Sequence, residues 1–178
     1  MMVEFAPFAS PLYAAFLSLL LIARGADFLS TWIATPGMVL EGNPIARKLG
    51  WRWGTLVNLG VCGFLAVWPF VAITVATTSL LVAARNLQSA WLMRTLGEED
   101  YRDWYVHHIR RAPLWLYLFC LVGQVTLIAS VGGALVLFHN DSAVVLPIGI
   151  GIVAYAVAIL VYSLLAYWRI RRASRSFS

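Results

Sequence analysis

Residues 23–47 read ARGADFLSTWIATPGMVLEGNPIAR, and this stretch decides the fold. It begins inside an apolar segment yet carries Arg24 and Asp27 three residues apart. It ends in Glu41-Gly-Asn43-Pro44-Ile-Ala-Arg47, a sequence suited to a membrane surface. Charges inside a membrane helix are costly, so they mark a function or a required partner. Thr35-Pro36-Gly37 forms a turn that ends the helix. Asn43 is a good N-cap, and Pro44 suits the first position of a short second helix. Gly50 is a plausible stop for that short helix.

The composition places the whole chain in a membrane. Of its 178 residues, 61% are hydrophobic and 12% charged, where a soluble domain carries about a quarter charged residues. The expected fold is all-α: a polytopic bundle of five spans at about 11–34, 54–68, 69–94, 114–138 and 143–168. Residues 1–168 form the membrane domain and 169–178 a basic, disordered tail. From Arg52 to Arg85 no charged residue occurs. One helix through residues 53–84 would be about 48 Å long, against a hydrocarbon core of about 30 Å. The run is therefore split at Trp68-Pro69, because the residue before a proline avoids the α region and proline opens helices well. Span two is then short. The N-terminal MMVEFAPFAS lacks the basic region of a secretory signal, so the first apolar segment is expected to be retained.

The positive charges set an orientation. Arg47, Lys48 and Arg52 fall in one loop; Arg94, Arg102, Arg110 and Arg111 at the next; Arg169, Arg171, Arg172 and Arg175 in the tail. With five spans these eleven of thirteen basic residues share one side, and the other side holds Glu4 and Asp141. By the positive-inside rule the N-terminus is outside and the C-terminus cytoplasmic, as in a bacterial inner membrane. The net charge of +5 is then a topology signal and a contact for anionic lipid head groups, not for nucleic acid. Trp51, Trp53, Trp115, Tyr117, Tyr167 and Trp168 suit the membrane–water interface.

This topology gathers polar residues in the inner half of the membrane. Arg24, Asp27 and Thr31 share a face of span one; Arg85, Gln88 and Ser89 share a face of span three, beside Asn86. Asn58 and Gln124 enter from spans two and four. Such faces avoid lipid and turn toward one another. The candidate cluster, structural or ligand-binding, is therefore Arg24, Asp27, Thr31, Glu41, Asn43, Asn58, Arg85, Asn86, Gln88, Ser89 and Gln124. Asp27 is expected to pair with Arg24 or Arg85. Two arginines against one carboxylate suit an anionic ligand. If the protein is an enzyme, Asp27 and Glu41 are its acid and base or metal ligands, and Arg24, Arg47 and Arg85 clamp a lipid or isoprenoid phosphate.

No GxSxG, HExxH, paired CxxC or phosphate-cradling glycine loop is present. No cofactor or metal is expected, and Cys62 and Cys120 are expected as buried apolar residues. His107 and His108 are adjacent, so they point about 100° apart on a helix and suit a surface near anionic lipid. Gly123, Gly132, Gly133, Gly149 and Gly151, with Ala129 and Ala154, are expected as close-packing positions of spans four and five.

Asp27-Phe-Leu-Ser30-Thr31 followed by Glu41-Gly-Asn43-Pro44 resembles a signature of small, uncharacterised bacterial multi-span proteins. Their helix end reads Asp-x-x-Ser/Thr-Thr and is followed by Glu-x-Asn-Pro. The run Thr77-Thr78 to Arg85-Asn86-Leu-Gln88 is similar to the same group, so the match covers about residues 20–100. The resemblance implies a multi-span fold and no known activity. Gly97-Glu98-Glu99-Asp-Tyr101 to Tyr105, with Arg110-Arg-Ala-Pro113, resembles the cytosolic element of isoprenylcysteine-type membrane methyltransferases, whose preceding His-Pro element is missing here.

Three functions are expected of such a chain. The first is a non-catalytic accessory, assembly or lipid-binding membrane component, with anionic lipids, other membrane subunits or further copies of itself as partners. The second is a membrane enzyme acting on a lipid or isoprenoid phosphate. The third is a small transporter, which would need to oligomerise because five spans enclose little pathway.

Overall fold

The computed structural model describes residues 5–39, 44–140 and 142–175. They form six helices: α1 (Pro11–Ala34), α2 (Pro44–Leu65), α3 (Pro69–Leu96), α4 (Glu98–Arg111), α5 (Leu114–Leu137) and α6 (Val145–Arg175). The described residues contain no strand. Four of the helices, α1, α3, α5 and α6, are long and apolar enough to cross a membrane. Their apolar windows are only 11–28% buried within the protein, and Ile22, Phe119, Leu127 and Leu137 are among many large apolar side chains facing outward. Water would not tolerate such a surface, and hydrocarbon requires it. The chain is a multi-pass helical membrane protein.

Local chemistry sets the boundaries. The Ser10 side chain accepts from the Tyr13 N–H, and Pro11 opens α1. Trp68 is extended and Pro69 opens α3, as the sequence suggests. Between them, residues 66–68 make the tight turn, so α2 ends at Leu65 rather than at residue 68. The Ala6 N–H donates to the Val67 carbonyl at 2.8 Å and ties the N-terminal segment to that turn. Gly50, at φ 65°, breaks α2 into a short first arm and a longer second arm beginning at Trp51. A residue with a Cβ avoids that left-handed geometry. Helix α6 runs on to Arg175, so residues 169–175 are helical where a disordered tail was expected.

The helices stand in a row, α2–α1–α3–α6–α5, with α4 across one end. Directions follow from paired residues. Ala6 meets Val67 at one end of α1 and α3, and Thr35 meets Glu98 at the other, so these two helices run parallel. The second arm of α2 returns beside α1: Trp51 Nε1 donates to the Pro36 carbonyl at 3.0 Å, and Tyr13 Oη donates to the Gly63 carbonyl at 3.0 Å. Helix α6 lies parallel to α3, with Thr74 and Thr78 hydroxyls donating to the Pro147 and Gly151 carbonyls at 3.2 and 3.0 Å. Helix α5 is antiparallel to α6. At their crossing a Cβ on Gly132 would lie 2.8 Å from the Gly149 carbonyl oxygen, so small residues permit the approach there. Gly123 and Gly133, by contrast, have open space beside them.

One end of the row is basic. Arg94 stacks on Trp32, Arg171 on Tyr167 and Arg172 on Trp168, at 5.8, 5.2 and 5.0 Å. Arg171 also donates to the Ala112 carbonyl at 3.0 Å, which ties α6 to the α4–α5 junction. Cations over aromatic rings at a helix end are the arrangement an interface favours.

Candidate functional site

Arg24 lies one helical turn before Asp27 on α1, and its side chain reaches across to two other helices. Its Nη1 donates to Asp27 Oδ2 at 3.0 Å and to Ser79 Oγ at 3.3 Å. Its Nε donates to Asn58 Oδ1 at 2.9 Å, and its Nη2 donates to the same oxygen. Four of the five guanidinium N–H groups are thus engaged, by residues of α1, α2 and α3. The Asn58 amide in turn donates to the Gly54 carbonyl at 2.9 Å. The two ion-pair side chains are 29% and 18% exposed. A cation held this far from water is stable only because its charge is matched and its donors are used.

A second polar layer lies one turn nearer the basic end. Ser30 and Thr31 hydroxyls donate to the Asp27 carbonyl at 2.8 and 2.9 Å. Asn86 of α3 donates to both hydroxyl oxygens, at 3.3 and 3.1 Å. Ser30 is fully buried. These two layers lie in the contact between α1 and α3, the most extensive pair in the fold, where Leu20 and Ala23 also pack with Ala72 and Ala76.

A third tie closes the basic end. The Glu98 carboxylate accepts from Thr35 Oγ1 at 2.6 Å, from the Gly37 N–H at 2.6 Å and from the Val39 N–H at 3.0 Å. Partial burial pushes the Glu98 carboxyl up, but these hydrogen bonds and the Arg94 charge outweigh it and hold it below its ordinary range. Gly97, at φ 86°, makes the bend that presents Glu98 to the loop.

Beside the Arg24 layer is a groove of about 540 Å³ between α1 and α2. Leu21, Phe28, Leu29, Trp32, Trp51 and Leu59 form its walls, and Arg24 and Asn58 its polar floor. Leu21, Leu29, Trp32 and Leu59 are outward-facing, so the groove opens on the lipid side of the row. Gly25 lies along it with nothing within 4 Å of a Cβ position.

The expected cluster is therefore divided. Arg24, Asp27 and Asn58 meet in one layer, and Thr31 and Asn86 in the next. Arg85, adjacent to Asn86, points about 100° away around α3 and is exposed, as are Gln88 and Gln124. Ser89 donates within its own helix to the Asn86 carbonyl at 3.4 Å. Glu41 and Asn43 lie outside the described residues, so the expected Asp27–Glu41 pair does too. Arg47 is exposed at the basic end. Ser79, Ser30 and Glu98 complete the ties and were not part of the expected cluster. Ser79 gives no signal, being one hydroxyl in an apolar run. Glu98 gave one, as the first acid after Gly97 at a helix start. Cys62 is buried, whereas Cys120 is on the outer face of α5, and both are free thiols. Among the described residues no group of three His, Cys, Asp or Glu side chains converges.

No family model, characterised protein or solved structure matches this chain.

Proposed function

We propose that this is a non-catalytic protein of a bacterial inner membrane, which crosses the bilayer five times and holds a lipid chain in the groove between α1 and α2. The carrying observation is the character of that groove. Its walls are apolar, and the one charge on its floor is already matched by Asp27, with four of its N–H groups engaged. A reaction site keeps a titratable group within reach of substrate. This floor keeps its cation occupied and offers mainly apolar surface, which suits an alkyl chain. The groove volume lies within the usual range for small-ligand sites, about 300–1,000 Å³. The grouping with small bacterial multi-span proteins of the Asp-x-x-Ser/Thr-Thr and Glu-x-Asn-Pro type belongs to the same proposal.

The fifth crossing is the second arm of α2. Its support is direction: two parallel helices joined in sequence need a segment that returns across the same thickness, and this arm runs back beside α1. At 15 residues it is about 22 Å long, shorter than the usual core of about 30 Å. Local thinning of the bilayer accommodates such a span at modest cost. The basic end then faces the cytoplasm. Reporter fusions at Ser142 and Ser178 should lie on opposite sides; both reporting the cytoplasm would remove the five-span reading.

The groove is tested with a phospholipid carrying a photoactivatable diazirine in its acyl chain. Labelled peptides should come from residues 21–32 and 51–62, and Gly25→Leu, which fills the groove, should suppress that labelling severalfold. Labelling spread evenly over α5 and α6, and unchanged by Gly25→Leu, would contradict the reading.

A further inference from the structure

Arg85 stands outside every tie described above. It lies 11 residues before the end of α3, about 16 Å along the axis. Its side chain is exposed. Among the described residues it forms no ion pair and no hydrogen bond. An unmatched guanidinium within a membrane-spanning helix is costly, so it calls for an anion.

The surroundings show where that anion would sit. Helices α3 and α5 make no direct backbone contact; each packs on α6 instead. Helix α4 packs on both α3 and α6 and closes the basic end. In the space between α3 and α5, Leu81 and Val82 of α3 and Tyr117 and Val125 of α5 pack around Leu121, Tyr155 and Ile159. Arg85 follows Leu81 by four residues and so shares its face of α3, and it is within electrostatic reach of Tyr105 on α4 and Tyr117 on α5. The Tyr117 hydroxyl is engaged, donating to the Ser163 carbonyl at 3.0 Å. The Tyr105 hydroxyl makes no hydrogen bond with the described residues. Gln88, nearly one turn nearer the basic end, is exposed as well.

We infer that the exposed α3 face carrying Arg85, next to α4, binds the phosphate of an anionic phospholipid head group, held by Arg85 and by the Tyr105 hydroxyl. Guanidinium matches phosphate geometry with two parallel N–H···O bonds, and a phenol adds a third donor. The long arginine stem carries its head group toward the α4 layer, the depth of lipid phosphates in the leaflet at the basic end. Arg110 and Arg111 at the end of α4 add positive charge near that surface. The site is lateral to the bilayer, so its source of phosphate is lipid and not the aqueous pool. It is separate from the α1/α2 groove, which takes a chain by apolar contact.

The test is native mass spectrometry of the full chain released from nanodiscs of mixed phosphatidylglycerol and phosphatidylcholine. Wild type should retain one phosphatidylglycerol that Arg85→Gln loses, with affinity falling about tenfold or more. Arg85→Lys should recover part of it, and Tyr105→Phe should weaken it severalfold. Helical circular dichroism and a single size-exclusion peak check that each variant folds. Equal retention of phosphatidylglycerol by wild type and Arg85→Gln would overturn the inference. Arg85-dependent stabilisation of lipid-free protein by inorganic phosphate, with no phosphatidylglycerol retained, would overturn the lipid assignment. Gly25→Leu should leave this retention unchanged, which separates failure here from failure of the groove.

Discussion

Two arginines are carried on membrane-spanning helices of this protein, and they have opposite surroundings. Arg24 meets Asp27, Asn58 and Ser79 and joins three helices. Arg85, six residues beyond Ser79 on α3 and so about 9 Å nearer the basic end, meets none of them and is exposed. Both lie within long apolar helices, where an unmatched charge is costly. In one the protein supplies the counter-charge and gains a tie between helices; in the other it leaves the cation available. The difference teaches that an intramembrane charge is not itself evidence for a site. The state of its donors decides whether it is structure or binding.

The strongest attack on this contrast is Arg24→Ala. It takes the cation from Asp27 and a shared partner from Asn58 and Ser79, and breaking a buried pair costs about 3–5 kcal/mol. Unfolding in mixed detergent micelles should show a loss of that order. A loss below about 1 kcal/mol would mean the layer is not a tie.

Smaller effects sharpen the boundary between fold and site. Asn86→Leu leaves Ser30 and Thr31 without their donor from α3, and should cost about 1–2 kcal/mol in the same assay. Glu98→Gln weakens the charge-assisted bonds to Thr35, Gly37 and Val39 and should cost about 1 kcal/mol. The pH dependence has a definite sign. A carboxyl held low in the folded state stabilises above its unfolded value of about 4.3 and loses that contribution as pH falls through the folded value. Wild type should therefore lose melting temperature below about pH 4.5 more steeply than Glu98→Gln. Parallel pH profiles for the two would remove the Glu98 tie. Gln124→Leu, on the outer face of α5, should change stability by less than about 0.5 kcal/mol.

Much of this was legible in sequence, and what was not has physical causes. The apolar runs and proline positions located α1, α3, α5 and α6 closely, because length and hydropathy are properties of one segment at a time. Helix spacing puts Arg24 and Asp27 on one face, so Arg24 was one of two partners expected for Asp27; the other, Arg85, forms no ion pair with it. The separation of Arg85 from Asn86 was not legible: adjacent residues share depth but point about 100° apart, and only the packing of α3 between α1 and α6 decides which faces which. The tie from Glu98 to residues 35–39 joins segments about sixty residues apart and leaves no local pattern. Helix α2 was the hardest element, since Gly54, Asn58, Gly60 and Gly63 dilute its hydropathy, while Gly54, Asn58 and Gly63 serve its contact with α1.

The most direct test compares Arg24→Gln with Arg85→Gln by unfolding in neutral detergent, with and without added phosphatidylglycerol. Arg24→Gln should lose several kcal/mol whether or not the lipid is present. Arg85→Gln should match wild type without lipid and lack the stabilisation that phosphatidylglycerol gives wild type. Equal losses from the two variants in lipid-free detergent would contradict the contrast between them, because both arginines would then be ties.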